Sequence, residues 1–337
     1  MADLVAVFLF IGVIAYSLLG GADFGAGFWD LLAGGARRGR EPRALIDASL
    51  APVWEANHTW LIYCLVILWS GFPTAFAAMT STLYVPLGVA ALGIVLRGAG
   101  FAFRKASLRT PQQRLYGAAF GLSSVLTPYC FGSMAGALAS GRIPDRGNGD
   151  AVTSWLNPTG VLGGVLAVLA CTYLAATYLT VAASRRSDPT LARYFRHRAL
   201  SAGILTGFVS IAGVFVLRAD APQLFRHLSH RGVPLALLAA LGGLLGLFLL
   251  STGRARGLRE TAAAAVALIL GGWGVSQYPY LLGTHASIHQ VASPDSTLRV
   301  LVGVACAAGV LILPSLALLF RLVGRGGLED RPPRQPL

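Results

Sequence analysis

The chain has 337 residues, of which 55% are hydrophobic and 12% charged, and its formal net charge is +13. So few charged side chains cannot cover a soluble protein of this size, which leaves an all-α, polytopic membrane protein. A charge of this sign would point to nucleic acid in a soluble chain; here the basic residues lie in short loops between apolar runs, which indicates membrane topology and no nucleic-acid partner.

Nine segments reach or approach the roughly 20 apolar residues that cross a bilayer. They are predicted at 4–28, 51–72, 77–103, 113–140, 157–183, 199–217, 233–251, 261–282 and 299–323. The first begins MADLVAVFLF, without a basic leader region or a small-residue cleavage site, so it reads as a span. It ends in GGADFGAGFWDLL, where Gly21 and Gly25 form a small-xxx-small packing pattern. Asp23 lies inside that stretch. It is either a structural carboxylate accepting hydrogen bonds between helices or part of a proton path. Asp30, near the basic loop that follows, reads as an interfacial acid that snorkels.

The second span carries APVWEANHTWLIYCLVILWSGF, with Glu55, Asn57 and His58 close together. An ionisable residue at bilayer depth costs roughly 2.5–3.5 kcal/mol on insertion scales, so it requires a partner, a wet cavity or a role. Glu55 and His58 are three apart and share a helix face, where they could hold or relay a proton, or form a neutral packing pair. Trp54, Asn57 and Trp60 would pack around them. Arg97, in the third span, either snorkels or pairs with Asp23 or Glu55. These readings make Glu55, His58, Asp23 and Arg97 the proton-transfer candidates, with no catalytic residue in this chain.

Later segments offer less chemistry. The loop Gly141–Trp155 reads as a solvated outer connection. His285 and His289 have a metal-ligand spacing, yet they lie near an outer loop with no acidic third ligand; His227 and His230 are placed similarly. Cys64, Cys130, Cys171 and Cys306 sit in apolar spans without CxxC pairing, which supports neither a disulfide framework nor a metal site. Of the 27 basic residues, 20 fall in or at the edges of the loops after spans 1, 3, 5 and 7 and the C-terminal tail, 6 fall in or at the edges of the loops on the opposite side, and Arg97 is the remainder. The positive-inside rule then puts the N-terminus outside and the C-terminus in the cytoplasm. The expected organisation is one helical membrane domain over 1–323 and a disordered cytoplasmic tail over 324–337.

Several of these stretches resemble subunit II of the cytochrome bd-type quinol oxidases. They are GGADFGAG at 20–27, SLAPVWEANHTWLI at 49–62, FPTAFAA at 72–78 and LRGAGFAFR at 96–104, then LNPTGVLGGV at 156–165, TYLAATYL at 172–179 and YPYLL at 278–282. In one order across nine predicted spans they are specific. The chain departs from some members, which carry an acid where Gly20 stands, or Asp and Gln where Glu55 and His58 stand. The resemblance implies a heterodimer in the bacterial inner (plasma) membrane, within lipid and supplied with quinone, to which a small accessory subunit can be added. Subunit I would hold two b-type hemes, one d-type (or b-type) heme and the quinol site, and this chain would ligate none. The complex would oxidise quinol and reduce dioxygen to water. The competing reading is a proton- or cation-coupled transporter using the same carboxylates. A weaker third reading is a structural membrane subunit in which every acid is a packing group.

Overall fold

In the computed structural model, residues 1–324 are described apart from 36, 51–53 and 107–109. The segment 325–337, and with it nearly all of the expected tail, lies outside the described residues. The chain is a bundle of long helices: α1 (Ala2–Leu31), α2 (Arg40–Leu50), α3 (Trp54–Gly71), α4 (Pro73–Thr82), α5 (Tyr84–Ala106), α6 (Thr110–Ala139) and α7 (Pro158–Arg185). It continues with α8 (Pro189–Asp220), α9 (Pro222–His227), α10 (Val233–Thr252) and α11 (Leu258–Gln277). A two-stranded hairpin, β1 (Tyr280–Leu282) with β2 (Ala286–Ser287), leads to α12 (Ile288–Val291) and α13 (Asp295–Gly324).

Each predicted span overlaps at least one of these helices. Among the described residues seven helical segments are long and apolar enough to cross a bilayer, or eight if the bent pair α3–α4 counts as one span. The helix α6 is not among the seven, because Gly, Ser, Thr and Pro128 dilute its hydropathy. Three local features differ from expectation. Pro73, lacking a backbone N–H, breaks the apolar run after Phe72, and α4 turns away from α3 by 117°. The third span therefore starts at Tyr84, after Leu83, not at residue 77. The eighth ends at Gln277, since YLL at 280–282 pairs as a strand. The loop after the first span contains α2, which buries Leu45 and Ile46 beneath its charged residues.

Helix starts follow local chemistry. Asn157 accepts a hydrogen bond from the Gly160 N–H at 2.8 Å ahead of Pro158, and Asp188 accepts from the Thr190 and Leu191 N–H groups ahead of Pro189. The most enclosed helix is α7, which packs against α1, α6, α8 and α11. One core gathers Trp29, Ile46, Leu174, Phe195 and Leu258 at one end of the bundle. A second gathers Val5, Phe72, Leu83, Ile143 and Leu298 at the other. Outward faces of α8, α10 and α13 are apolar: Phe208, Leu241 and Val310 are exposed, as suits a surface solvated by lipid.

Close approach of α1 to α7 depends on Gly25. A Cβ there would strike the Cys171 carbonyl and lie 2.8 Å from the Thr172 nitrogen. Trp29 seals the same seam by donating its indole N–H to the Thr172 carbonyl at 2.8 Å. Gly243, in α10, has open space where its Cβ would stand. Gly25→Ala is therefore expected to lower the melting temperature of the detergent-solubilised protein, at a cost of about 1–3 kcal/mol. Gly243→Ala should leave it unchanged or raised; equal melting of the two variants would contradict this packing.

Candidate functional site

The site grows from two helices, α1 and α5, that run in the same direction and both pack against α6. On α1, Asp23 and Asp30 are seven residues apart; on α5, Arg97 and Arg104 are seven apart. Seven residues are close to two helical turns, so each pair presents one face. The result is two rungs. Arg97 Nη2 donates to Asp23 Oδ1 at 2.7 Å and to the Asp23 carbonyl at 3.0 Å. Arg104 Nη1 donates to Asp30 Oδ2 at 2.7 Å.

The first rung is dry. Asp23 is 1% and Arg97 3% exposed, and Arg97 Nη1 donates to Ser124 Oγ of α6 at 2.5 Å. The guanidinium also lies over the rings of Phe24 and Phe120, 5.0 and 4.6 Å from their centroids. Gly27 makes room for this arrangement. A Cβ at that position would collide with Ser124 and stand 3.0 Å from Arg97 Nη1. Asp23 Oδ2 is buried with no hydrogen-bond partner. Among the described residues the carboxylate partner of Arg97 is Asp23, and Arg97 does not snorkel.

The second rung is broader. Asp30 also meets Arg43 at 3.6 Å, and Arg104 Nη2 reaches Asp47 Oδ1 at 2.5 Å. The Arg104 guanidinium lies 5.2 Å from the Phe120 centroid, so that ring contacts both cations. Asp30 is thus not a snorkelling interfacial acid. It is 2% exposed, held inward by two arginines from α2 and α5. The signal for both partnerships was the matching seven-residue spacing. Ser124 and Phe120 gave no signal of their own.

His58 of α3 sits beside this cluster. Its imidazole packs on Tyr16 and Phe24, with ring centroids 6.1 and 6.0 Å away, and Phe24 is next to Asp23 in the chain. Asn57 donates to the Leu19 carbonyl at 3.2 Å and ties α3 to α1. Trp60 turns to Tyr63, centroids 5.9 Å apart, with its indole nitrogen buried and without a hydrogen-bond partner. The side chains of Trp54 and Glu55, on the first turn of α3, lie outside the described residues. The Glu55–His58 pairing falls there too. So His58, Asp23 and Arg97 come together, whereas Trp60 belongs to a neighbouring aromatic contact.

Away from this cluster, Arg142 makes a bidentate pair with Asp220 at 2.9 and 2.6 Å, which raises the Arg142 guanidinium above its usual range. The same carboxylate accepts from the Thr159 N–H and hydroxyl. Asp150 closes the intervening loop, accepting from the Thr153 and Val152 N–H groups; these bonds hold its carboxyl below the usual range. His289 pairs with Asp3 at 3.1 Å in an exposed position, and His227 Nδ1 meets the Ser276 carbonyl at 2.9 Å. Among the described residues no group of three or more His, Cys, Asp or Glu is placed to hold a metal ion.

The family model for cytochrome bd terminal oxidase subunit II matches residues 1–323. The chain belongs to that family. Over 180 residues it is 30% identical to the cytochrome bd ubiquinol oxidase subunit 2 of Bacillus subtilis (strain 168), covering 53% of this chain and 51% of that protein. Over 182 residues it is also 30% identical to the cytochrome bd-I ubiquinol oxidase subunit 2 of Escherichia coli (strain K12), covering 51% and 46%. The chain thus spans about half the length of the curated relatives it matches. Its fold is similar to a chain in the structure of bd oxidase from Geobacillus thermodenitrificans, with a TM-score of 0.76 at 22% identity, over 98% of this chain and 99% of that one. Family and helices together make this a multi-pass protein of the bacterial inner membrane.

The Asp23–Arg97 rung can be tested by separating charge from volume. Removing one member of a buried pair strands the other, at a cost of about 3–5 kcal/mol, whereas replacing both by apolar residues is far cheaper. Arg97→Met and Asp23→Leu should each lower thermal stability and yield sharply. The double variant should recover much of the loss. Strictly additive losses would contradict a direct pair.

Proposed function

We propose that this chain is the second subunit of a bd-type quinol oxidase, which oxidises quinol and reduces dioxygen to water together with a heme-bearing subunit I. The observation that carries this reading is the match of the subunit II family model over residues 1–323. It favours the oxidase over a proton- or cation-coupled transporter. The hemes, two b-type and one d-type (or b-type), belong to the partner. His58, in the second span, packs on Tyr16 and Phe24. Quinol is the expected reductant of the complex, and a small accessory subunit is compatible with the apolar outer faces.

Within this reading Asp23–Arg97 and Asp30–Arg104 are anchors that fix α1 against α5. Oδ1 of Asp23 is committed to Arg97, so what Asp23 can offer a moving proton is Oδ2. Proton transfer is assigned first to Glu55 and His58, and then to Asp23. Glu55→Gln keeps shape and removes the titrating group. The assembled complex should then retain its heme spectrum and lose quinol-driven oxygen consumption per heme from about pH 6 to about pH 8. Glu55→Asp should keep part of the activity. Full turnover in Glu55→Gln across that range would end the proton role of this residue.

We also infer nine membrane crossings, with the N-terminus outside and the C-terminus in the cytoplasm. The parallel course of α1 and α5, implied by two rungs in the same order, supports an odd-to-odd relation between the first and third spans. Reporter fusions after Arg40, Ser107, Ser187 and Gly257 should read cytoplasmic, and those at Gly147, Leu228 and Ser293 external. One reproducible inversion would break this topology.

A further inference from the structure

A cavity of about 530 Å³ opens between the ends of α7, α8, α10 and α11, far in sequence from the acid–arginine rungs. Its cationic wall is Arg193, Arg196 and Arg254; its apolar wall includes Leu249, Leu250 and Leu258. Among the described residues no carboxylate lies within ion-pair distance of those three guanidiniums. Asp188 is the single acid of the lining, and its Oδ1 is already committed to the Thr190 and Leu191 N–H groups of α8. Arg196 Nε is buried without a hydrogen-bond partner. The chain makes space for this guanidinium at Gly253, which is left-handed at φ +71 and where a Cβ would stand 2.7 Å from Arg196 Nη1.

We propose that this pocket binds a phosphate group, carried either by an anionic phospholipid headgroup or by free phosphate. Uncompensated guanidiniums around one cavity recognise phosphate through paired N–H donors. Basic residues beside apolar helix ends are also the arrangement that receives an anionic lipid head at a membrane surface. The Leu249–Leu250 wall would face the first carbons of an acyl chain, whereas the arginines alone would serve the free anion. In the proposed topology the site opens to the cytoplasmic side, but binding itself does not depend on that or on the oxidase reading.

The test uses the full complex, purified in detergent, delipidated and titrated in three arms: phosphatidylglycerol, phosphatidylcholine and inorganic phosphate. Lipid occupancy is counted by native mass spectrometry and phosphate by equilibrium dialysis. The expected result is saturable binding of one phosphatidylglycerol or one phosphate per chain, the responding arm naming the source. Arg196→Gln and Arg254→Gln should each weaken it about fivefold. Arg254 is exposed, so its variant keeps the test alive if Arg196→Gln fails to assemble; Arg37→Gln, outside the pocket lining, should bind normally. Retention of phosphatidylcholine equal to phosphatidylglycerol, no saturable binding of either anion, or undiminished binding in Arg254→Gln would overturn the proposal.

Discussion

A guanidinium buried in an apolar bundle is the constraint on which the rest of the arrangement depends. Arg97 carries five N–H donors and no acceptor, so the fold must bring it a carboxylate and further acceptors. Asp23 supplies both a side-chain and a backbone oxygen, Ser124 a third acceptor, and two aromatic faces occupy the remaining space. Those partners come from α1 and α6, so satisfying one cation fixes three helices. Gly27 belongs to the same requirement, since any side chain there would occupy the place of Ser124 and crowd the guanidinium.

The second rung extends the first towards the end of the bundle. Phe120 touches both arginines, and Asp30 and Asp47 draw Arg104 and Arg43 into a network that also holds α2 in place. Next to this ladder, α3 packs along α1, with Asn57 and Tyr63 donating to the Leu19 and Phe8 carbonyls and His58 against Tyr16 and Phe24. Under the proposed function the tasks divide along helices: α1, α5 and α6 anchor, and α3 presents the proton-transfer candidates.

Much of the bundle was legible because a span announces itself by length and apolarity, whatever it packs against. What failed were features set by single residues or by tertiary partners. Pro73 was visible, yet the residues after it are as apolar as a span and were assigned to one. YLL at 280–282 was counted into the eighth helix for the same reason. The helix α2 is only 11 residues long and rich in arginine, so its buried pair Leu45 and Ile46 was hidden in a loop that looked merely basic. Of the site, Asp23 and Arg97 stood out by being charged inside spans. Asp30 was misplaced because nearness to basic residues suggested an interface, when those same arginines enclose it. The partner of Arg97 was open between two acids separated from it by long stretches of chain, and the repeated seven-residue spacing that decides it becomes meaningful only once α6 brings α1 and α5 within reach of each other.

The most direct measurement of the double rung is an experimental density map of the intact complex in a lipid nanodisc, read at four side chains. The expected result places Arg97 on Asp23 and Arg104 on Asp30, both within hydrogen-bond distance, with the Phe120 ring against both guanidiniums. An Arg97 side chain directed to lipid, or to a carboxylate of another chain, with Asp23 left facing α7, would contradict it.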